Sequence, residues 1–342
     1  MEYPKFKVTV SCMTYNQSKY ITDAMNGFTM QQTSFPFVCT IVDDASTDGE
    51  QDVIRKYVED KFDFSEGSVA FHKETDYAHI TYAQHKTNKN CYFAVLYLKE
   101  NHYSQRKPKL GYLSEWRDIC EYEAMCEGDD WWIDPLKLQK QFDILELKQD
   151  IGLVITDVNR YFQINNKVEY SVFSNKIRPL SNNFKQLLMY ATWLAPCTWM
   201  MRKKYRDNDI CLPKDCFKGD IAVALQILSK SNMLLVSDTT ACYRVLNQSA
   251  SHFIDNKSSD KFYFSVINTR CFYARSLDFH FRTKLFLKIC KELRGRYINR
   301  KRFRVEKFLF HVFVTTLRLF IMRGYKNLCS LQALHNNQTF NK

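Results

Sequence analysis

Glycine is missing where a phosphate-cradling loop would need it. The turn Thr14-Tyr15-Asn16-Gln17-Ser18, which follows the first extended run, contains none, so a glycine-rich, lysine-containing loop is excluded near the amino end. The eight histidines form no cluster at metal-ligand spacing, and the twelve cysteines include no Cys-x-x-Cys pair. Cys12, Cys39, Cys126, Cys242 and Cys290 are scattered through apparent strands and helices, and no signal-peptide pattern accompanies them. They are therefore expected as buried, reduced thiols of a cytoplasmic protein rather than as a disulfide framework. There is no internal repeat and no long low-complexity segment. The most apolar stretch near the carboxyl end is interrupted by Glu306, Lys307, His311 and Arg318, which leaves it too broken to span a bilayer unaided.

Charge is unevenly placed. Residues 257–342 hold 19 Lys and Arg against 4 Asp and Glu, a balance of +15 in a chain whose total is +12. Two helices are expected there, Thr283 to Leu293 with Leu285, Phe286, Ile289 and Leu293 on one face, and Val305 to Phe320 with Phe308, Leu309, Val312, Phe313 and Phe320 on one side. The runs Arg294-Gly295-Arg296 and Arg300-Lys301-Arg302-Phe303-Arg304 lie between them. Such helices fit an anionic membrane surface, with about 1 kcal/mol per basic residue near the headgroups. They equally fit a helical pair packed on the rest of the chain with a solvated basic face. A nucleic-acid partner is not expected, since no motif for base or phosphate readout accompanies the charge.

The first half of the chain reads as alternating strands and helices. Val8, Val10 and Cys12 alternate with Thr9 and Ser11, Thr14-Tyr15-Asn16 breaks the pattern, and a helix is expected from about Lys19 to Met30. Phe37 to Val42 forms a short apolar strand that stops at Asp43-Asp44-Ala45-Ser46-Thr47-Asp48-Gly49, before a helix through Val53, Ile54, Tyr57 and Val58. Strand-helix-strand-helix is the signature of an α/β fold with a parallel sheet. An acid closing the second strand can accept hydrogen bonds from a bound base or ribose. Ser46, Thr47 or Asp48 acting as a helix cap is the plainer alternative.

The run Glu127-Gly128-Asp129-Asp130-Trp131-Trp132-Ile133-Asp134 is the most informative. Tyr122, Ala124, Met125 and Cys126 suit a strand end, and Pro135 with Leu136, Leu138, Phe142 and Leu145 suits a helix starting just after it. Asp129 and Asp130 thus stand at the carboxyl end of a strand, where open α/β sheets bind ligands. Adjacent carboxylates repel unless something cationic lies between them. A hard divalent cation held by one or two carboxylates and by substrate phosphates meets that need. An acidic turn that caps the next helix would also explain the run, and Asp134, before Pro135, is read as that cap.

Together the turn Thr14-Tyr15-Asn16, the acidic end Asp43-Asp44-Ala45-Ser46 and the run Glu127-Gly128-Asp129-Asp130 resemble the nucleotide-sugar-binding half of family 2 glycosyltransferases of the GT-A fold. Glu127 through Gln141 is similar to the form found in bacterial polysaccharide-biosynthesis enzymes. The resemblance covers roughly residues 5–255. It implies that Thr14, Tyr15 and Asn16 border the nucleotide, that Asp44 contacts the uracil or equivalent base, that Asp129 lies near the ribose, and that Asp130 coordinates Mn²⁺ or Mg²⁺ on the diphosphate. Two positions depart from the family pattern: Met13 stands where proline is usual, and Glu127 replaces the first aspartate of an Asp-x-Asp form.

Further along, His85-Lys86-Thr87-Asn88-Lys89-Asn90 precedes a segment, Tyr92 to Glu100, expected to be helical, and His102 to Gly111 reads as an exposed insertion. The family resemblance makes Asn88 or Asn90 a nucleotide contact; a helix-entry loop explains them equally well. A strand is expected from Leu153 to Thr156, then a turn-rich stretch from Asn159 to Asn183. Leu194 to Arg202 resembles the acceptor side of the family's cleft, where Trp193 and Trp199 would stack on a sugar face; burial in the core is the alternative. Gly219-Asp220 opens an apolar helix, and the resemblance places the catalytic base at Asp220, with a helix cap as the other reading. Tyr243-Arg244 and Asn247-Gln248-Ser249-Ala250-Ser251-His252 are similar to a segment that closes over the diphosphate, with Arg244 pairing to phosphate oxygens. His252 is a weaker contact of the same kind, or part of a surface loop.

The whole is expected to be one GT-A domain, residues 1–256, with a nucleotide-sugar-binding half 1–150 and an acceptor half 151–256, followed by a basic helical extension 257–342. The implied activity is inverting, metal-dependent transfer from a nucleoside-diphosphate sugar, a UDP-sugar foremost, to a hydroxyl of a glycan or lipid-linked acceptor in surface polysaccharide synthesis. A cytoplasmic enzyme, peripheral on the inner face of the membrane, follows from that reading. The alternatives are a sugar-phosphate nucleotidyltransferase, which would want the glycine-rich loop that is missing, and a catalytically silent scaffold recruited to the membrane.

Overall fold

The computed structural model describes residues 3–176, 182–206, 212–246, 256–298 and 305–321. The order of elements begins β1 (Val8–Thr14), α1 (Ile21–Thr29), β2 (Phe37–Asp43), α2 (Glu50–Lys61), β3 (Phe71–Glu74), β4 (Ala78–Gln84), β5 (Cys91–Leu98), α3 (His102–Gln105) and α4 (Ser114–Arg117). It continues through β6 (Tyr122–Met125), β7 (Trp131–Trp132), α5 (Lys137–Leu147), β8 (Ile151–Phe162), β9 (Lys167–Glu169), α6 (Val172–Asn175), α7 (Phe184–Tyr190), β10 (Met200–Arg202), α8 (Asp220–Leu228) and β11 (Asn232–Val245). Three helices follow, α9 (Asn256–Ala274), α10 (Phe279–Ile298) and α11 (Val305–Thr316).

One mixed sheet runs β3-β4-β5-β2-β1-β6-β10-β8-β11-β7, with β9 paired to β8. Its centre, β5-β2-β1-β6, is parallel throughout. Strands covered on both faces lose the alternation of a half-buried strand, and β2 accordingly buries every residue from Phe37 to Asp43. The same effect overturns the helix expected from Tyr92 to Glu100. The run Cys-Tyr-Phe-Ala-Val-Leu-Tyr-Leu is β5, and all of it is buried. An uninterrupted apolar run has no period to separate helix from strand; its eight residues and its aromatic and β-branched content favour the strand. Strand β8 is also longer than the Leu153–Thr156 core expected of it, because Asp157 and Val158 stay buried and the pairing with β11 runs on to Phe162.

Parallel β1, β2 and β6 all release their chains at the same edge of the sheet, at Thr14, Asp43 and Met125. That edge carries the three turns singled out in the sequence. Behind the acidic turn, β7 pairs antiparallel with β11, Trp131 opposite Cys242 and Trp132 opposite Ala241. The end of β11 is thereby laid directly behind Asp129 and Asp130.

The chain divides into two compact units, Met1–Asn182 with Trp193–Asn208 and Ile227–Ser249, and Asn183–Thr192 with Asp209–Gln226 and Ala250–Lys342. The first contains the whole sheet. In the second, α10 buries Leu285, Ile289 and Leu293 as its spacing predicted, and Arg270 of α9 donates to the carbonyls of Leu188 and Met189 and to Glu292. The helix expected from Val305 to Phe320 is α11 followed by a π-helical turn, Leu317–Ile321. Among the described residues no helix is long and apolar enough to cross a membrane. The basic run 300–304 and the segment Asn247–Ser251 with His252 lie outside the described residues.

Candidate functional site

At the shared strand edge the three turns are tied to one another. The carboxylate of Glu50, fully buried at the start of α2, accepts from the Thr14 hydroxyl, from the Gln17 amide nitrogen at 2.8 Å and from the Ser46 hydroxyl at 2.8 Å. Burial raises this carboxyl above its ordinary range, and the three donors act against that shift. The Asn16 side chain accepts from the Thr47 N–H at 2.8 Å, and the Ser46 hydroxyl accepts from the Asn16 N–H at 2.9 Å. Asn16 and Ala45 both take the left-handed conformation, with φ of 54° and 59°. For alanine this costs about 1–2 kcal/mol, so the surrounding bonds hold the second turn in a shape it would not choose alone. Tyr15 projects outward, 46% exposed.

The acidic turn meets the first turn at Gly128. Its N–H donates to the Met13 carbonyl at 3.2 Å. A Cβ at this position would run into the Thr14 side chain and come within 2.6 Å of Gln17 Oε1, so the approach requires glycine. Glu127 is exposed, Asp129 half-buried and Asp130 only 4% exposed. Asp130 Oδ1 accepts the Arg244 N–H at 2.8 Å, and the Cys197 thiol bonds the same carboxyl. Burial, reinforced by the neighbouring Asp129 charge, pushes the Asp130 carboxyl well up; burial also raises Asp129. Beneath them Lys137 is buried, bonded to Gln141 at 2.6 Å and placed 4.4 Å above the Trp132 ring. Burial lowers its ammonium to about 7.

Arg244, near the end of β11, braces this turn. Its guanidinium donates to the Asp129 carbonyl at 2.8 Å, to Gln163 at 2.7 Å and to Asp23 at 2.7 Å. It lies 4.4 Å from the Trp131 ring centre and 4.6 Å from that of Tyr20. Residue and side chain are 5% exposed or little more. The phosphate-pairing role expected for Arg244 is therefore corrected: its donors are turned onto protein acceptors, and it positions the acidic turn.

Asp44 also differs from its expected role as an acceptor for a base. The segment after β5 folds back over it, so that Asp44 accepts the N–H groups of His102 at 2.8 Å and Tyr103 at 3.0 Å and the Lys109 ammonium at 2.6 Å. Within the span His102–Gly111, Tyr103 to Pro108 and Gly111 are exposed as expected, while His102 is buried. Beside it lies a cavity of about 240 Å³ lined by Met13, Met125, Lys109, Glu127, Glu123 and Arg206. Glu123 is wholly buried on β6 and carries an ion pair to Arg117 at 2.9 Å and to Arg206 at 2.7 Å. Burial acts to raise its pKa, but the two guanidiniums outweigh that and hold it below the usual range.

Two further expected residues fall elsewhere. Asn88 precedes β5 at the opposite edge of the parallel strands and spends its amide on the carbonyls of Thr29 at 3.0 Å and Gln31 at 2.7 Å, while Asn90 bonds the Thr33 carbonyl at 2.6 Å. Both shape a loop far from the three turns. Trp199 is 1% exposed with its indole N–H on the Leu194 carbonyl at 2.7 Å, so it is a core residue and has no face for a sugar. Trp193 is half-buried against Phe173 and Tyr243. Asp220 belongs to the second unit, where its Oδ1 accepts the Ile221 N–H at 2.8 Å and burial raises its carboxyl. Glu50, Lys109, Glu123 and Lys137 were not foreseen as site residues. Only Glu50, directly after a turn rich in capping residues, gave a signal that could have found it.

The acidic turn offers oxygen donors alone, the set a hard cation such as Mn²⁺ or Mg²⁺ prefers. Among the described residues, no three His, Cys, Asp or Glu side chains are grouped to hold a metal. Glu127, which is exposed, and Asp129, which is half-buried, fit a cation completed by ligand phosphates; Asp130 is 4% exposed and accepts the Arg244 N–H.

No family model matches the chain. The uncharacterized proteins Rv1520 of Mycobacterium tuberculosis and Mb1547 of Mycobacterium bovis are each 31% identical over 144 residues, which is 41% of this chain and 31% of theirs. The chain thus matches about a third of the length of these curated relatives. Among solved structures, residues 1–349 of S. aureus TarS align with a TM-score of 0.55 at 16% identity, over 93% of this chain and 82% of that one. The same segment in complex with UDP-GlcNAc aligns with a TM-score of 0.57 at 15% identity, over 92% and 82%. At such identities the likeness shows the fold, a GT-A arrangement of a largely parallel central sheet flanked by helices with a helical carboxyl-terminal part.

Proposed function

We propose that this chain is a glycosyltransferase that moves a sugar from a nucleoside-diphosphate sugar to an acceptor hydroxyl, with the donor bound where β1, β2 and β6 end. One observation carries the reading. The acidic turn Glu127-Gly128-Asp129-Asp130 is locked against the first turn through Gly128 and braced from behind by Arg244, so that a pair of carboxylates is held rigid at the ligand-binding edge of the sheet. The complex of the structural neighbour TarS with UDP-GlcNAc supports the same donor class.

The roles of the two aspartates are revised from those the resemblance implied. Asp129, with Glu127, faces the donor and would hold a divalent cation; Asp130 fixes the turn by accepting the Arg244 N–H. A bound cation would supply charge neutralisation for the departing diphosphate. Thr14 and Asn16 keep the first turn in place while Tyr15 offers its exposed ring toward the ligand side. Asp220 is proposed as the base that takes the proton from the acceptor hydroxyl; its raised carboxyl pKa moves it toward the range in which a base is effective near neutrality. Direct attack by that hydroxyl would invert the anomeric centre. The partition 1–150, 151–256 and 257–342, a lipid-linked or glycan acceptor, and surface polysaccharide as the product belong to the same proposal, as does a cytoplasmic enzyme peripheral on the membrane.

The test is donor binding and hydrolysis with a panel of nucleotide sugars, with and without Mn²⁺. Asp129→Asn should abolish the metal dependence of binding, whereas Asp130→Asn, which retains an acceptor for the Arg244 N–H, should keep it with affinity changed by less than about tenfold. If no nucleotide sugar raises the melting temperature or is turned over, the reading fails. If Asp130→Asn alone removes the metal dependence, the revised assignment is wrong.

A further inference from the structure

Beside the acidic turn, the side chain that faces the cavity is Lys109, where Asp44 was expected. Asp44 directly follows the second strand, but both of its oxygens point into the segment that follows β5: Oδ1 accepts from His102, and Oδ2 from Tyr103 and Lys109. Its main-chain carbonyl accepts the Asn101 amide at 2.9 Å. A carboxylate is an acceptor only, and this one is turned wholly onto protein donors. Asp44 does not line the cavity; Lys109 does. An ammonium carries three protons, and Asp44 engages one of them at 2.6 Å while fixing where the remaining two point.

The rest of the cavity favours a flat, polarisable ring. Met13 of β1 and Met125 of β6 are both half-buried along its wall, and thioether side chains adapt to aromatic faces. The charges at its floor are matched internally, since Glu123 accepts from Ser11 at 2.7 Å and pairs with Arg117 and Arg206. Glu127 joins this cavity to the turn proposed to hold the diphosphate. A volume of about 240 Å³ is on the scale of one heterocycle rather than a whole donor.

Resting on the nucleotide-sugar reading above, we propose that Lys109, held by Asp44, reads the nucleobase and restricts the donor to bases with a keto oxygen at the edge that meets the ammonium. Uracil, thymine and guanine satisfy it. Cytosine and adenine present an amino group at the corresponding position, and a donor facing a donor leaves both unpaired. Selection thus comes from a cation that can only donate.

Isothermal titration with UDP and CDP in the presence of Mn²⁺ tests this, because the two differ at the substituent in question. UDP should bind about ten- to a hundredfold tighter than CDP, the scale of one hydrogen bond to a charged group. Lys109→Gln, whose amide presents either a donor or an acceptor, should bring the two within about threefold. GDP and ADP form a second pair with the same expectation. Both nucleotides are measured on one protein sample, so partial misfolding of the variant lowers the active fraction for each and leaves their ratio intact. Equal binding of UDP and CDP by the unaltered chain, or a preference that survives Lys109→Gln, overturns the role of Lys109. If none of the four diphosphates binds, the nucleotide-sugar reading itself has failed.

Discussion

Arg244 offers the sharpest separation of positioning from binding, because it is enclosed by protein and still governs the main chain of Asp129. Replacing it with methionine removes hydrogen bonds to the Asp129 carbonyl and to Gln163, each charge-assisted and worth about 1.5–3 kcal/mol. The bond to Asp23 adds little, since that carboxylate is 51% exposed and screened. Contact with the rings of Trp131 and Tyr20 adds about 1 kcal/mol each. These contributions overlap, and about 3–5 kcal/mol is the expected loss, the scale seen when one partner of a buried charge pair is deleted. Against a total of about 5–15 kcal/mol that change is large. Arg244→Lys, which keeps the charge and part of the donor set, should cost about 1–3 kcal/mol and leave a folded protein. Urea denaturation followed by titration with UDP and Mn²⁺ reads both effects. Metal-dependent binding should weaken about tenfold or more in Arg244→Lys although the guanidinium is turned onto protein acceptors. A methionine variant with unchanged stability and unchanged nucleotide affinity would refute the brace.

Three other outcomes follow from the same geometry. Gly128→Ala places a methyl against Thr14 and Gln17; it should destabilise by about 1–3 kcal/mol and weaken donor binding, and a melting temperature equal to that of the unaltered protein would show that the turns do not touch. Lys137 has its ammonium lowered to about 7 from 10.5, so the folded chain binds fewer protons than the unfolded chain between those values and this residue makes stability rise with pH across that window, with no contribution to the slope well below pH 7. Lys137→Met should remove that slope and add on the order of 4 kcal/mol at pH 7, which urea midpoints from pH 6 to 9 would check; equal slopes in the two proteins would contradict it. Asp220→Asn should abolish sugar transfer while leaving metal-dependent nucleotide binding intact, and full turnover by that variant would remove Asp220 from the mechanism.

The sequence was readable wherever a property was local. The parallel centre of the sheet followed from short apolar runs ending in acidic or polar turns, and the buried face of α10 followed from residues spaced at helical intervals. Strand β5 was not readable in the same way, because eight consecutive buried residues carry no period. What failed at the site was long-range. Asp44 is closed by donors 58 and 59 residues away, and Arg244 reaches the Asp129 carbonyl across 115. Nothing near residue 44 tells whether its carboxylate meets a ligand or the chain's own backbone. The same holds for the aspartate pair: as neighbours in sequence they look equivalent, and only the pairing of β7 with β11, which brings the Arg244 N–H to Asp130, makes Asp130 a buried support while Asp129 stays half-buried. Sequence therefore locates the acidic turn, while the strand crossing behind it decides which carboxylate is buried as a support. A glutamate at 127 fits this division: it is exposed, so the turn keeps a carboxylate at the surface even with Asp130 turned inward.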